Sequence, residues 1–274
     1  MKSNLRPKVR SKTRMVLGKC FYRFSRYFKW YFSGKQFAVE RSNPLDFEYL
    51  IAEHNTPLYR KLPKVDMWLQ QNKVVNLRLA TSRLNGIVVK PGEVLSFWRL
   101  VGKPTKSKGY VDGMVLFNGA YKAGVGGGLC QLSNLIYWMT LHTPLDVTER
   151  WRHSYDVFPD VNRTQPFGSG ATVSFNHIDL QITNRTDQDF VLHLYLADTH
   201  LYGEWRSQQS LPFTYEVYEK NHQISHEHWG GYIRQNKLFR KLVSKTGEVL
   251  GDELVAENAA IMMYQPFLAE KKEG

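Results

Sequence analysis

The spacing of apolar residues changes along the chain from a helical to a strand-like pattern. Helical spacing predicts helices over 14–32, 65–84 and 130–142, and the start signal Asn43-Pro44 predicts another over 45–55. Runs rich in β-branched and aromatic residues predict strands over 87–89, 94–100, 145–150, 171–176, 179–184, 190–196, 202–205, 213–218 and 232–243. The predicted fold is therefore α+β, with N-terminal helices, a central glycine turn and cysteine helix, and a C-terminal, mostly antiparallel sheet.

The first predicted helix is amphipathic. At about 100° per residue, its aromatic and aliphatic side chains fall on one side: Val16, Leu17, Cys20, Phe21, Phe24, Tyr27, Phe28 and Tyr31. Lys19, Arg23 and Arg26 fall on the other side. A basic, aromatic-rich helix of this kind lies on an anionic membrane surface or packs its aromatic face on the rest of the protein. Both interpretations stay open at this point.

Charge divides the chain into two predicted parts. The net charge is +12, yet residues 1–35 hold eleven Lys or Arg and no acid, and the remainder holds 26 basic and 25 acidic residues. We therefore predict a basic arm over 1–35 and a single domain over 36–274. A nearly neutral domain argues against nucleic acid as a partner. Basic residues interrupt the apolar stretch near the N-terminus, so no secretory signal is predicted, and we expect a cytoplasmic protein, peripheral at the inner face of the membrane if the arm binds it.

The two cysteines, Cys20 and Cys130, predict neither a disulfide framework nor a structural zinc site. His222, His226 and His228 lack a clear helix and a fourth ligand, so we predict no metal site there. No cofactor-binding motif is present either, since the glycine run does not end in the Gly-Lys-Ser/Thr of a phosphate loop. The expected protein uses neither a metal nor a cofactor.

The most distinctive stretch runs from Gly126 through Gly127, Gly128 and Leu129 to Cys130. Glycines accept unusual backbone angles and allow close approach, so the three glycines form a candidate ligand-binding turn that delivers Cys130 to the start of a buried helix. Free N–H groups and the positive dipole end at a helix start stabilise a thiolate. Cys130 is therefore a candidate nucleophile. The alternative is a small thiol that simply packs in the core.

Other residues suit a cysteine-based reaction. His153 follows Cys130 by 23 residues, beyond a predicted helix and strand, and is a candidate general base. The amide of Gln131, with backbone N–H groups of the glycine turn, is a candidate oxyanion donor. Asp156, Glu149 or Asp179 could orient the histidine, and the sequence does not choose among them.

Four blocks in order resemble the VanW family, accessory proteins found with vancomycin-resistance gene clusters in bacteria. They are PGEVLSFW at 91–98, GGGLCQLSN at 126–134, Glu149-Arg150 with His153, and ATV at 171–173 with Asp179-Leu180. The length is similar to that of the short, resistance-type members. The resemblance implies a VanW-like domain linked to glycopeptide resistance or peptidoglycan metabolism. A cell-wall precursor or peptidoglycan fragment is the implied partner, with Arg150 as a further candidate ligand-binding residue. Many members carry Asp where Gly170 stands here. If that Asp is catalytic in the family, this chain needs Asp179 or Asp156 instead, or lacks activity.

Two functions are consistent with these residues. The first is a cysteine-dependent hydrolase or acyl-transferase that acts on an amide or ester bond of a cell-wall precursor, with Cys130, His153 and Gln131 as the catalytic residues. The second is a non-catalytic module that binds a precursor or a partner in cell-wall synthesis. A strongly lowered pKa of the Cys130 thiol would favour the enzyme.

Overall fold

The computed structural model describes residues 11–59, 66–117, 119–157 and 164–266. The helices in these ranges are α1 (Lys12–Phe32), α2 (Met67–Leu84), α3 (Phe97–Val101) and α4 (Cys130–Thr140). The strands are β1 (Tyr49–Pro57), β2 (Val88–Val89), β3 (Val94–Ser96), β4 (Asp112–Phe117), β5 (Ala120–Val125), β6 (Asp146–Glu149), β7 (Tyr155–Asp156), β8 (Gln181–Thr183), β9 (Phe190–Leu196), β10 (His200–Ser207), β11 (Phe213–His226), β12 (Tyr232–Ser244) and β13 (Val249–Met262). The predicted α+β class is confirmed.

The strands form three sheets and a hairpin. One antiparallel sheet has the order β1-β10-β9-β2, and a smaller one has the order β3-β8-β6. The three long C-terminal strands form the sheet β11-β12-β13, to which the short β7 adds in parallel. The remaining pair, β4 and β5, forms the hairpin. The predicted antiparallel character of the C-terminal half is confirmed.

The largest apolar core surrounds α4. The helix packs against β1 and β10, where Leu135 and Met139 lie over Gly203. A Cβ at Gly203 would stand 2.7 Å from the Met139 Cε atom, so the glycine allows the helix to approach the sheet closely. Leu132 and Ile136 on the same helix are fully buried. This burial explains why the apolar spacing after Cys130 predicted a helix correctly.

The helix predicted over 45–55 is wrong. Asn43 does cap a short 3-10 turn over Pro44–Asp46, where its side chain accepts a hydrogen bond from the Leu45 N–H. The chain then extends as β1, which pairs with β10 along its length. The capping signal at Asn43-Pro44 therefore specifies only the 3-10 turn. Pairing with β10, about 150 residues later, makes the following residues a strand.

Two predicted strands are also shorter than expected. The stretch 94–100 changes from β3 to α3 after Ser96, whose hydroxyl accepts a hydrogen bond from the Arg99 N–H. In the stretch 171–176, pairing is limited to an isolated bridge between Ser174 and Ile178. The hairpin of β4 and β5 and the long strand β13 were not predicted.

The buried side of α2 is partly polar, which differs from the apolar face expected over 65–84. Leu77 and Leu84 are buried, but so are Gln70, Lys73 and Asn76. Asn76 contacts the backbone of the segment around β4 and β5, where its amide donates to the Val111 and Gly127 carbonyls and accepts from the Val111 N–H. Backbone recognition therefore replaces part of the apolar packing.

Helix α1 packs on the domain by the side opposite to its aromatic face. Its buried residues are Arg26 and Trp30, and Trp30 joins the main core. The eight side chains predicted to share one face are exposed to solvent. The interpretation in which this aromatic face packs on the protein is therefore wrong. No helix among the described residues is long and apolar enough to cross a bilayer.

Candidate functional site

The glycine turn packs tightly against the protein's own chain. A Cβ at Gly127 would lie 2.2 Å from the backbone of Gly113, and one at Gly128 would lie 2.2 Å from the Lys73 side chain. Gly126 and Gly128 have positive φ angles of 75° and 93°, which favour glycine. The close approach expected of this turn therefore occurs, but with strand β4, helix α2 and Pro104. The ligand-binding role predicted for Gly126, Gly127 and Gly128 stays a prediction.

Cys130 is the first residue of α4, as the sequence predicted. Its thiol donates a hydrogen bond to the Val173 carbonyl, with the sulfur 3.7 Å from the oxygen. Burial raises the pKa of the Cys130 thiol, although hydrogen bonds to backbone groups act in the opposite direction. The expected lowering of the thiol pKa by the helix start is therefore not found. Cys130 as a whole residue is only partly buried, but burial around its sulfur outweighs the effect of the helix start.

The backbone of the first helical turn is also occupied. The N–H groups of Gln131, Leu132 and Ser133 donate to the carbonyls of Gly128 and Leu129, at distances of 3.0 to 3.3 Å. These donors are among the groups that would stabilise a thiolate or an oxyanion beside Cys130. They are used inside the turn.

The Gln131 side chain joins α4 to the end of β1. Its Nε2 atom donates to the Thr56 hydroxyl at 2.8 Å and to the Pro57 carbonyl at 3.0 Å. An amide nitrogen carries two hydrogens, so both are used in these contacts. The geometry gives Gln131 a structural role and leaves only its Oε1 atom for another partner.

His153 is half-buried, and burial together with the nearby Arg152 charge lowers the pKa of its imidazole. Within the described residues, no hydrogen bond joins His153 to Cys130 or to any of the candidate acids. The structure therefore does not bring the predicted catalytic residues into one hydrogen-bonded group. The catalytic assignment stays a prediction.

Asp179 is fully buried and holds the start of α3. Its carboxylate accepts hydrogen bonds from the Ser96 hydroxyl at 2.6 Å, and from the backbone N–H groups of Trp98 at 2.9 Å and Leu180 at 3.0 Å. Burial raises the pKa of Asp179 to about 6, while the hydrogen bonds from Ser96 and Trp98 lower it. These contacts place Asp179 in the support of the fold.

The second candidate acid, Asp156, lies on β7 beside the C-terminal sheet. It accepts a hydrogen bond from the Tyr264 hydroxyl at 3.0 Å, and the Arg234 guanidinium lies 3.6 Å away. Its carboxylate therefore takes part in attaching β7 to β13, since these contacts come from residues on or next to the long strands. The choice among the candidate acids as an orienting residue stays open.

Arg150 connects three segments. Its guanidinium donates to the carbonyls of Gly168 and Gly170 and to the Asn258 side chain, and it lies over the Tyr137 ring at 4.8 Å. The planar fork of arginine suits several acceptors at fixed positions. Arg150 thus links α4 and the segment 166–171 to the C-terminal sheet, and its predicted ligand-binding role stays a prediction.

Gly170 lies against Asn134. A Cβ at Gly170 would be 2.7 Å from the Asn134 Oδ1 atom, which accepts a hydrogen bond from the Ala171 N–H at 2.8 Å. An acidic side chain at position 170 would require Asn134 to move. Glycine here and the position of Asn134 are therefore coupled.

The sequence analysis missed a row of side chains on the outer face of α4. Gln131, Asn134, Trp138 and His142 recur at helical spacing, and each is at least partly exposed. His54 of β1 lies beside the row, with its ring 6.4 Å from that of Trp138, and His142 lies 4.8 Å from it on the other side. We call these five residues the α4 row. Helical spacing alone would have found its three members on α4, and His142 continues that spacing just after the helix ends.

Burial lowers the pKa of both histidines in the α4 row, and the charge of His142 lowers that of His54 further. Both imidazoles are therefore mainly neutral at pH 7. One nitrogen of each ring is already used, because His142 Nδ1 donates to the Trp138 carbonyl at 2.9 Å and His54 Nε2 accepts from Gln165 Nε2 at 2.7 Å. Among the described residues, no group of three or more His, Cys, Asp or Glu side chains is arranged to hold a metal ion.

The comparisons with known proteins cover the region that contains these features. The family model described as VanW like protein matches residues 72–206. The vancomycin B-type resistance protein VanW of Enterococcus faecalis is 37% identical over 217 residues, which are 79% of this chain and 78% of that protein. The uncharacterized protein YoaR of Bacillus subtilis is 32% identical over 117 residues, 43% of this chain and 37% of that protein.

No solved structure matches the chain. The matched residues 72–206 include the glycine turn, α4, Arg150 and Asp179, and the similarity to the enterococcal protein extends over more than three quarters of both chains. The resemblance found in the sequence is therefore confirmed. The chain belongs to the VanW family.

Proposed function

We propose that this protein is a non-catalytic accessory module of glycopeptide resistance that binds a peptidoglycan precursor along the α4 row. The relative from Enterococcus faecalis that it matches over most of its length is named as a vancomycin B-type resistance protein. One observation carries the choice of a binding module over an enzyme. The Cys130 thiol donates a hydrogen bond to the Val173 carbonyl, and burial raises the pKa of the thiol.

The chemistry of the α4 row suits a ligand rich in amides and sugar rings. The Gln131 Oε1 atom is an acceptor, and Asn134 uses its Oδ1 atom for the Ala171 N–H, which directs its Nδ2 atom to other acceptors. The Trp138 ring offers an apolar surface beside these amides, and half-buried aromatic rings with a few polar groups are typical of ligand sites. Peptidoglycan precursors carry acetamido sugars and a peptide, which supply matching amide groups.

Binding is tested by calorimetric titration of the full chain with a soluble muramyl-peptide fragment. We expect Trp138→Ala to weaken binding by about tenfold, because it removes a buried contact at the centre of the row. Trp151→Ala is the matched control, since Trp151 is exposed and lies outside the row. Equal affinity in the two variants, or no binding by the native chain, would refute the proposed site.

The enzyme hypothesis is tested at the thiol. In a Cys20→Ser background, alkylation of Cys130 at neutral pH should be far slower than that of a free thiol and should become fast when the protein unfolds. Cys130→Ala should keep its affinity for the fragment. Rapid alkylation of the folded protein, together with turnover of the fragment that disappears in Cys130→Ser, would instead establish the cysteine enzyme.

A further inference from the structure

Helix α1 is fixed to the domain through its polar side. The Arg26 guanidinium donates to both carboxylate oxygens of Glu149 and to the His177 carbonyl, and its side chain is 7% exposed. Trp30, one turn later, packs into the core. The Arg99 guanidinium donates to the Trp30 carbonyl at 3.3 Å, which holds the end of the helix. The rotation of α1 about its axis is therefore defined.

With this rotation, the apolar face of α1 points away from the protein. Amphipathic helices usually bury the apolar face and expose the polar one. Here Phe21, Phe24 and Phe28 are 64–76% exposed. The rest of the face consists of Val16, Leu17, Cys20, Tyr27, Tyr31 and Phe32, all exposed. We call these nine residues the outer face of α1. The Arg99 guanidinium lies over the Tyr31 ring at 5.3 Å, and the face as a whole stays exposed.

The charges around the outer face have one sign. At about 100° per residue, Arg23 borders one edge of the face and Arg14 the other. Lys12, Lys19 and Lys29 are also on α1 and exposed, and residues 1–35 include no acid. Basic residues along the edges can extend to phosphate groups while aromatic side chains enter the apolar layer. A partner that is both anionic and apolar is complementary to this surface.

From this arrangement we propose that α1 lies in the headgroup region of an anionic phospholipid bilayer and holds the domain on the membrane in one orientation. Phe24 and Phe28 enter deepest, and Arg14 and Arg23 contact lipid phosphates. The helix has 21 residues and thus a length of about 30 Å, enough to lie along the surface over its whole length. The outer face goes into the lipid while Arg26 and Trp30 keep the domain attached on the other side. This attachment is separate from ligand binding at the α4 row.

The first test is co-sedimentation of the full chain with phosphatidylcholine vesicles, with and without phosphatidylglycerol. We expect binding to the anionic vesicles, weakened by salt, and about tenfold weaker binding for Phe24→Ser/Phe28→Ser. Val249→Ser/Leu250→Ser is the matched control, because these apolar residues are similarly exposed but lie on β13. Equal loss in both double variants, or no preference for anionic vesicles, would overturn the proposal.

The second test measures the orientation of the helix. Cys20 lies on the outer face and is exposed, so an environment-sensitive fluorophore can be attached there in a Cys130→Ala variant. Anionic vesicles should shift its emission to the blue, and a lipid-borne quencher should reduce it. A shift produced by a second copy of the chain or by an oligonucleotide, without any produced by vesicles, would assign the outer face to that partner and overturn membrane binding. The Phe24→Ser/Phe28→Ser variant should also keep its affinity for the muramyl-peptide fragment in calorimetry. That result would show that membrane binding and ligand binding are independent.

Discussion

Several polar side chains around the glycine turn bind backbone groups of segments far away in sequence. Asn76 reaches the Gly127 carbonyl, Gln131 reaches β1, Asn134 reaches the Ala171 N–H, and Arg150 reaches Gly168 and Gly170. A buried backbone group without a partner costs free energy, so these contacts secure the glycine turn, the end of β1 and the segment 166–171. At the residue scale, the family signature is thus largely a set of structural contacts.

Arg150 provides the first prediction. Arg150→Lys keeps the charge but loses the planar fork that binds two carbonyls and the Asn258 amide, so the free energy of unfolding should fall by about 2–3 kcal/mol. Arg185→Lys is the control, since its ion pair with Asp146 has an arginine side chain that is 70% exposed, and less than about 0.5 kcal/mol should be lost. Urea denaturation of both variants measures the difference. Similar losses would contradict the structural role of Arg150.

Asp179 provides a prediction about pH. Its carboxyl has a folded pKa of about 6 against an ordinary value of 3.8, because it is buried. The folded state therefore binds more protons than the unfolded state between these pH values, and the contribution to stability falls as pH rises through the window from about 4 to 6, by about 3 kcal/mol in all. Asp179→Asn should lack this slope when the free energy of unfolding is measured against pH.

Ser96→Ala supplies the complementary change. The Ser96 hydroxyl donates to the Asp179 carboxylate at 2.6 Å and thereby lowers the pKa of that group. Its removal should raise the pKa further and extend the loss of stability to higher pH. If the native chain and Asp179→Asn gave parallel curves of stability against pH, burial of the Asp179 charge would not be the cause.

At the scale of elements, the success of the sequence analysis depended on how local each signal was. The helix that begins at Cys130 was predicted because its apolar residues recur at helical spacing over consecutive turns. Strand β1 was wrongly predicted as helix because its partner β10 lies about 150 residues later, and a pairing of that kind leaves no local pattern. The hairpin was missed although Asn118-Gly119, a dipeptide typical of tight hairpins, stands between β4 and β5.

The candidate site shows the same limit. Position at a helix start predicted where Cys130 would be. It predicted neither the burial that raises the pKa of the thiol nor the hydrogen bond to the carbonyl of Val173, which is distant in sequence. Likewise, helical spacing predicted α1, whereas the side that packs on the domain depends on the pairing of Arg26 with Glu149, which spacing cannot reveal. The sequence therefore predicted where Cys130 and α1 lie in the order of elements, but not which distant residues pack against them.

The glycine turn yields a prediction at this scale. Gly127→Ala would place a Cβ 2.2 Å from the Gly113 backbone, and neither strand β4 nor the turn can yield without losing contacts. We expect a loss of about 3 kcal/mol or failure to fold. Gly18→Ala on α1 is the control, since nothing lies within 4 Å of its Cβ, and helix propensity should make it stabilising by up to about 1 kcal/mol. Thermal unfolding of both variants distinguishes close packing from a general cost of replacing glycine.

In the whole molecule, both the basic charge and the exposed aromatic surface are concentrated near the N-terminus. The basic excess lies in residues 1–35, whereas the remainder is nearly neutral and contains most of the buried core. Residues 1–35 also present the largest set of exposed aromatic side chains. The connection between α1 and the domain therefore determines how the apolar surface is presented, because a loose helix would turn that surface inward or bind non-specifically.

The pair of Arg26 and Glu149 is the connection to test. Its side chains are 7% and 21% exposed, and Glu149 also accepts a hydrogen bond from the Trp151 indole at 2.9 Å. In this environment a charged pair is coupled more strongly than on an open surface, so a double-mutant cycle of Arg26→Ala and Glu149→Gln should give a coupling free energy of about 2 kcal/mol. Each single variant should accelerate amide hydrogen exchange across α1 while leaving exchange in β11–β13 unchanged.

The pair of Lys90 and Glu40, with side chains 42% and 57% exposed, serves as the reference, and its coupling free energy should be less than about 1 kcal/mol. Exchange in α1 that stays at its native rate in both single variants would mean that Trp30 and the core hold the helix, and that Arg26 only fills the space beneath it.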